Sequence, residues 1–435
     1  MNGVRFDNVH DWLAWQETLH PAAIDLGLDR VQRAHERLGG RRPAPVVVTV
    51  AGTNGKGSSV AFLEAMLGAA GYRTGAYTSP HLLRYNERIR VDGEPVPDTA
   101  LCAAFARIDA ARGADSLTYF EFGTLAALEL FADAGLDVAL LEVGLGGRLD
   151  AVNLVDPDVA LVTRIGLDHT EWLGSDREAI GVEKAGIFRA GRPAVCSDPA
   201  PPAALPARAR ALGAPWHALG EQFGHRLAGD GSSWSWCAGQ ARHEDLPLPA
   251  LAGRHQLDNA SGALMVLECL RGRLPVPRHA LVAGLREARP AGRFQRLAGA
   301  VEQVLDVAHN ALGAETLAAA LAERPVAGRT LAVLGMLADK DCAAFVAALR
   351  GQVDAWWAVG LADARAAAAD DLCACIRRAA PAAGCEVCGD VRAAHAGLCA
   401  EARAGDRILV CGSFHTVAEW LAAAPSETDG VTWTI

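Results

Sequence analysis

The run PVVVTVAGTNGKGSSVAFLEAMLGAAGY, Pro45 to Tyr72, constrains the fold more than any other stretch of the chain. Val46, Val47, Val48 and Val50 are β-branched residues in a short apolar run, the pattern of a buried strand. Ala61, Leu63, Met66 and Leu67 then recur at helical spacing until Gly71 stops the helix. Between them Gly52, Gly55 and Gly57 let backbone N–H groups converge on an anion at a helix N-terminus. Lys56 adds a positive charge, and the Ser58 hydroxyl is placed to reach a phosphate-bound Mg²⁺. A plain strand-to-helix turn is the competing explanation, but a lysine between two glycines at a helix start has little packing role. The turn reads as a phosphate cradle, with ATP as its natural occupant.

The cradle departs from the common P-loop, because Val50 stands where a glycine is expected and Gly57 separates Lys56 from Ser58. Strand and helix patterns alternate beyond it, through TGAYTSP, DVALLEVGLGG and DVALVTRIGLDHT. Such alternation predicts a mostly parallel sheet covered by helices. DPAPPAALPARARALGAP reads as a peripheral connection with a short helix, and SSWSWCAG as a small hairpin. A break near REARPAGRFQRLAG precedes a second strand and helix series, VEQVLDVAHN, RTLAVLGMLADKD, VDAWWAVG and DRILVCGSFHTVAEW. The expectation is an α/β chain with a P-loop ATPase-type domain over residues 1–289 and a smaller Rossmann-like α/β domain over residues 290–435.

The chain has 435 residues, of which 51% are hydrophobic and 21% charged, enough apolar material for two cores. A formal charge of −10 argues against a nucleic-acid partner held by non-specific electrostatics. No apolar run approaches the roughly 20 residues that span a bilayer, and MNGVRFDNVHDW lacks the basic start and apolar core of a signal peptide. The expected setting is cytoplasmic, and nothing demands more than a monomer. The 11 cysteines are scattered and odd in number, as reduced thiols would be. Cys373, Cys375, Cys385 and Cys388 imitate a zinc site poorly, since one residue separates the first pair and alanine-rich helix surrounds it.

Glu142 closes the strand LLEV, and Gly144, Gly146 and Gly147 follow, so a carboxylate is presented where a parallel sheet opens toward its ligand. A dinucleotide fingerprint fails there, because Leu149 occupies the place of the third glycine. His169 ends the next strand in GLDHTEWLG, and an imidazole beside a carboxylate can hold a divalent ion near a triphosphate. Taken alone, Lys184 in REAIGVEKAGIF reads as a solvated helix lysine. Asp306 reads as a helix cap and His309 as a first-turn residue.

GTNGKGS resembles the ATP loop of the Mur ligase superfamily, and within it the folylpolyglutamate synthase and dihydrofolate synthase branch. The likeness extends along nearly the whole chain. It takes in TSPHLLRYNERIRVDG, TYFEFGTLAAL, REAIGVEKAGIFRAGRPAV, LDNASGAL, AGRFQ, LDVAHNALGAETLAAAL, GMLADKD and CGSFHTVAEW. It implies ATP contacts from Thr53, Asn54, Gly55, Lys56, Gly57, Ser58, Asn259, Arg293 and Asp306, and metal contacts from Ser58, Ser79, Glu142 and His169. It implies that Lys184 is carbamylated, so that a cation becomes an anion able to hold a second Mg²⁺. Lys56, His169, Lys184, Asp306 and His309 are the expected catalytic set. Composition and spacing independently support only the phosphate loop and, more weakly, Glu142 with His169.

AIDLGLDRVQRAHERLG, Ala23 to Gly39, resembles the loop and helix that bifunctional bacterial members use for dihydropteroate. It implies contacts from Leu26, Gly27 and Leu28, joined by Tyr119, Phe120, Glu121, Leu149, Asp150 and Ala151. Gly27 would free the backbone to approach a flat ring, whereas an ordinary loop ahead of an amphipathic helix is the plainer alternative. Val307 and Ala311 stand where many relatives have glycine and proline. The resemblance implies an ATP-dependent ligase that joins L-glutamate to dihydropteroate and adds glutamates to tetrahydrofolate and its polyglutamates. A folylpolyglutamate synthase alone, another Mur-type ligase, or a nucleotide switch that hydrolyses ATP without ligating are the alternatives.

Overall fold

The computed structural model describes residues 5–423, which divide into two compact units. The first comprises residues up to Ala250 together with Leu257–Ala288, and the second Leu251–Gln256 with the chain from Arg289 onward.

The first unit is built on an eight-stranded sheet. Its strands lie in the order Glu94–Pro95, Ile89–Val91, Thr74–Tyr77, Val138–Glu142, Val46–Ala51, Val159–Val162, Ala194–Cys196 and Trp216–Ala218. Every pairing from Thr74–Tyr77 to Trp216–Ala218 is parallel, and only the edge made by Ile89–Val91 and Glu94–Pro95 is antiparallel. Strand Val46–Ala51 is buried at every position, as a central parallel strand covered on both faces must be. It pairs with Val138–Glu142 on one side, Val50 opposite Glu142, and with Val159–Val162 on the other. The carboxyl ends of these three strands therefore deliver three loops to one edge, where ligands of open α/β sheets bind.

Helices cover this sheet for local reasons that the sequence carries. Helix Tyr119–Ala134 opens on a reciprocal capping box between Thr118 and Glu121, which satisfies two otherwise orphaned backbone donors. Helix Val9–Leu19 seats Trp12 against Phe105 and Phe122, all fully buried. SSWSWCAG enters a three-stranded antiparallel sheet, Ala241–Pro247, Ser233–Ala238 and Phe223–Leu227, rather than a lone hairpin.

The second unit carries a six-stranded sheet in the order Gln295–Leu297, Glu302–Leu305, Arg407–Cys411, Thr330–Leu334, Ala355–Val359 and Gly384–Cys388. All its pairings are parallel except that of the first two strands. Its core joins Val304, Leu334, Phe345, Trp356, Ile376 and Leu409. DARAAAADDLCACIRRAA supplies helix Ala369–Ala379, which buries Leu372, Cys373, Cys375 and Ile376 on one face.

Candidate active site

Helix Lys56–Ala69 begins directly after the glycine turn, with Gly55 as its N-cap in the left-handed region at φ 98°. A Cβ on Gly55 would lie 2.4 Å from Asn259 Oδ1, so glycine here answers both a backbone conformation and a close neighbour. That neighbour comes from helix His255–Cys269, far along the chain, and was expected at the nucleotide. Gly52 is more tightly constrained still, since a Cβ would fall 1.8 Å from Thr163 Oγ1. Thr163 in turn donates to the Asn54 carbonyl at 2.8 Å, and the Thr53 and Asn54 amides donate to the Arg164 carbonyl at 2.9 and 3.2 Å. The loop is thus clamped to the end of strand Val159–Val162. Nothing in the local pattern of DVALVT marked Thr163 for this role; its only signal is its place at a strand end beside the loop's own strand.

Lys56 is not in an exposed turn: it is the first residue of the helix and half-buried. Its Nζ donates to the carbonyls of Gly52 and Thr53 at 3.0 and 3.1 Å. Lys184 Nζ donates to the same Gly52 carbonyl at 2.9 Å. Lys184 is 4% exposed, which overturns the reading of a solvated helix lysine. It ends helix Arg177–Lys184 and points inward to the phosphate loop. Burial, and then the neighbouring Lys56 charge, pull its pKa down to about 7, against the opposing pull of Asp168 and Asp150. Ser58, in the first turn of helix Lys56–Ala69, is buried.

A Gly52→Ala substitution is expected to push Thr163 off the loop. Overpacking of this kind costs about 1–3 kcal/mol, and it would displace the carbonyl shared by Lys56 and Lys184. Thermal denaturation together with nucleotide affinity checks this, and native values of both would show that the loop tolerates the methyl group.

Glu142 is the last residue of its strand and 3% exposed, and its Oε2 accepts the Ser79 amide at 3.3 Å. The structure thus brings Ser79 and Glu142 together. His169 sits at φ 50° ahead of helix Thr170–Leu173, with its amide donating to Asp168 Oδ1 at 2.9 Å and its Nε2 at 3.9 Å from that oxygen. Among the described residues no three His, Cys, Asp or Glu side chains cluster as metal ligands. Glu142 is a buried carboxylate beside Ser79, a hard oxygen donor of the kind that holds Mg²⁺ when phosphate oxygens and water complete the shell.

Of the residues expected at the pteroyl group, Asp150 is buried, and its carboxylate accepts the amides of Leu145 at 2.8 Å and Val152 at 3.1 Å. Burial raises its pKa to about 6, while those backbone donors pull the other way. It caps the short turn Ala151–Leu154. Phe120 packs beside Tyr77, and a Cβ on Gly144 would lie 2.5 Å from the Phe120 ring. Glu121 has a structural task beside any ligand role: its Oε2 accepts from the Thr118 amide and from Arg30 Nε, both at 2.8 Å. Arg30 also reaches Asp25, so it fastens the loop carrying Leu26, Gly27 and Leu28 to the start of helix Tyr119–Ala134. No atom within 4 Å would oppose a Cβ at Gly27, so packing inside the chain does not demand glycine there.

In the second unit, Asp306 is not a helix cap. It follows strand Glu302–Leu305 and accepts the amides of Phe294 and Ala308, both at 2.8 Å, while Asn310 caps helix Ala311–Ala322 through the Gly313 amide. Burial raises the Asp306 pKa, and the Arg293 charge acts against it. His309 Nδ1 donates to the Val307 carbonyl at 2.9 Å, which leaves Nε2 as the basic nitrogen. The Arg293 guanidinium lies 4.9 Å over the Phe414 ring, and the His309 ring is 6.3 Å from the same ring. Arg293, Asp306 and His309 therefore share one face of this unit, a grouping in which Phe414 was not foreseen.

Comparison with known proteins shows the family. The Mur ligase middle domain matches residues 50–198, and the Mur ligase glutamate ligase domain matches residues 292–414. The dihydrofolate synthase/folylpolyglutamate synthase of Escherichia coli is 45% identical over 419 residues, 96% of each chain. A structure of E. coli FolC in complex with DHPP and ADP superposes with a TM-score of 0.90, covering 96% of this chain and 97% of that one. A bifunctional folylpolyglutamate synthase/dihydrofolate synthase with Mn, AMPPNP and L-glutamate bound superposes with a TM-score of 0.88 at 45% identity, covering 96% and 98%. The chain belongs to the Mur ligase family, in its dihydrofolate synthase/folylpolyglutamate synthase branch.

Proposed function

We propose that this chain is an ATP-dependent ligase that condenses L-glutamate with dihydropteroate to give dihydrofolate, and that also lengthens tetrahydrofolate and its polyglutamates. The observation that carries the reading is the convergence of Lys56 and Lys184 on the Gly52 carbonyl, inside a glycine loop clamped by Thr163 and roofed by Asn259. Residues 1–289 hold the nucleotide and the pteroyl group, and residues 290–435 form the glutamate-ligase part. The enzyme acts as a cytoplasmic monomer.

A carboxylate at neutral pH is a poor electrophile. Transfer of the γ-phosphoryl group of ATP onto it gives an acyl phosphate, which the amine of glutamate attacks with loss of phosphate. Loop amides and Lys56 hold the phosphates and answer the charge that develops as the phosphoryl group moves. Thr53, Asn54, Gly55, Gly57, Ser58 and Asn259 position the nucleotide, with Arg293 and Asp306 as further ATP contacts. His309 belongs to the catalytic set beside Arg293 and Asp306. Two Mg²⁺ ions would be held by Ser58, Ser79, Glu142, His169 and a carbamate on Lys184, and they would neutralise phosphate charge. Lys184 suits carbamylation because its amine is buried beside a second cation, which together lower its pKa to about 7.

The pteroyl group lies against Leu26, Gly27, Leu28, Tyr119, Phe120, Glu121, Leu149, Asp150 and Ala151. Changes at Gly27 or Leu28 are accordingly expected to lower kcat/KM for dihydropteroate more than for tetrahydrofolate. Equal losses on both would make the segment structural. The reading itself is tested by weighing the products of protein, ATP and Mg²⁺ with dihydropteroate or tetrahydrofolate, with and without glutamate. Product from tetrahydrofolate alone would reduce it to a folylpolyglutamate synthase, and phosphate release indifferent to glutamate would replace it with a nucleotide switch.

A further inference from the structure

Resting on that reading, we infer that Arg88 is the receptor for the carboxylate of the pteroyl substrate. The segment RYNERIR carries three arginines in different circumstances. Arg84 pairs with Asp98 at 2.9 Å and Arg90 with Glu64 at 2.7 Å. Arg88 is 9% exposed, yet no carboxylate among the described residues pairs with it. Its Nε donates to the neutral acceptor His81 Nδ1 at 2.8 Å, and its guanidinium lies 5.2 Å from the Tyr85 ring and 5.6 Å from the Tyr119 ring. Glu87, the adjacent acid, is already engaged by the amides of Leu82, Leu83 and Arg84.

A buried guanidinium without a counter-ion is costly to keep. Two aromatic rings and an imidazole fix its plane while leaving Nη1 and Nη2 without an acceptor among the described residues, the arrangement that receives a planar carboxylate on two parallel bonds. Its place in the fold identifies the guest. The Arg88 carbonyl accepts the Thr78 amide at 2.9 Å, next to Ser79 on Glu142, whereas Tyr119 opens the helix assigned to the pteroyl group. A substrate lying along Tyr119 with its acid end toward the phosphates brings that acid to Arg88.

The test compares binding of dihydropteroate with binding of its primary carboxamide, which keeps the ring system and loses the charge. Native enzyme is expected to prefer the acid by about ten- to a hundred-fold, the range for hydrogen bonds to a charged group. Arg88→Gln should bring that ratio near one with the carboxamide affinity unchanged, and Arg88→Lys should retain part of it. A preference for the acid that survives Arg88→Gln, or equal weakening of both ligands, would overturn the assignment alone. Native enzyme that binds neither ligand would overturn the functional reading and the assignment with it.

Discussion

Lys56→Ala is expected to lower turnover on both pteroyl substrates by at least about 10²–10³, the usual cost of removing one preorganised charge contact from a transition state. The fold should survive, because Lys56 is half-buried and, among the described residues, its Nζ donates to the Gly52 and Thr53 carbonyls of its own loop. Gly55 and the helix behind it keep the backbone donors that hold the phosphates. The loss should therefore appear mainly in kcat, with a smaller change in nucleotide affinity. Steady-state kinetics beside a thermal melt separates the outcomes: near-native turnover would remove Lys56 from the chemistry, and a collapsed melting temperature would make it a structural residue.

The Lys184 series should produce a loss of similar size with a distinctive rescue pattern. An ammonium at this buried position repels both Lys56 and any divalent cation, whereas a carbamate reverses the sign. Lys184→Arg keeps the cation and should stay inactive. Lys184→Ala should lose most activity and recover part of it with small carboxylic acids that fill the vacated space. Reaction with dissolved CO₂ requires the neutral amine, so bicarbonate-dependent activation should rise through about pH 7 rather than near 10.5. Linkage gives a second sign for unmodified protein. A lysine pKa lower in the folded than in the unfolded state means that the unfolded chain binds more protons between those values. Stability should consequently climb as pH rises from about 7 toward the ordinary lysine range. Full activity of Lys184→Arg, or activation that ignores bicarbonate, would return Lys184 to a packing role.

These expectations show what local pattern carries and what it leaves out. The valine strand, the glycine turn and the helix after it were legible because each is a short-range signal, periodicity followed by punctuation. The same holds for the second strand series, whose apolar runs became Glu302–Leu305, Thr330–Leu334, Ala355–Val359 and Arg407–Cys411. The antiparallel strand Gln295–Leu297 and the third strand beside Ser233–Ala238 lacked that signal: they are edge elements with exposed polar residues. Lys184 misled for a related reason. Its helix carries Arg177, Glu178, Glu183 and Lys184, a solvated composition, and only the tertiary contact to Gly52 places the amine inside. Thr163 and Asn259 likewise act across the chain on partners that no spacing rule connects. Glu121 shows the converse, since a motif residue expected at the pteroyl group also caps a helix and anchors Arg30.

The account stands on activation of the pteroyl carboxylate by ATP, and oxygen transfer tests that step most directly. Dihydropteroate labelled with ¹⁸O in its carboxylate is turned over with ATP, Mg²⁺ and L-glutamate, and the phosphate released is weighed. The account predicts one ¹⁸O delivered to phosphate for each dihydrofolate formed, because the bond that breaks when the amine attacks leaves a carboxylate oxygen on phosphorus. Phosphate free of label, formed at the same rate with or without glutamate, would contradict it.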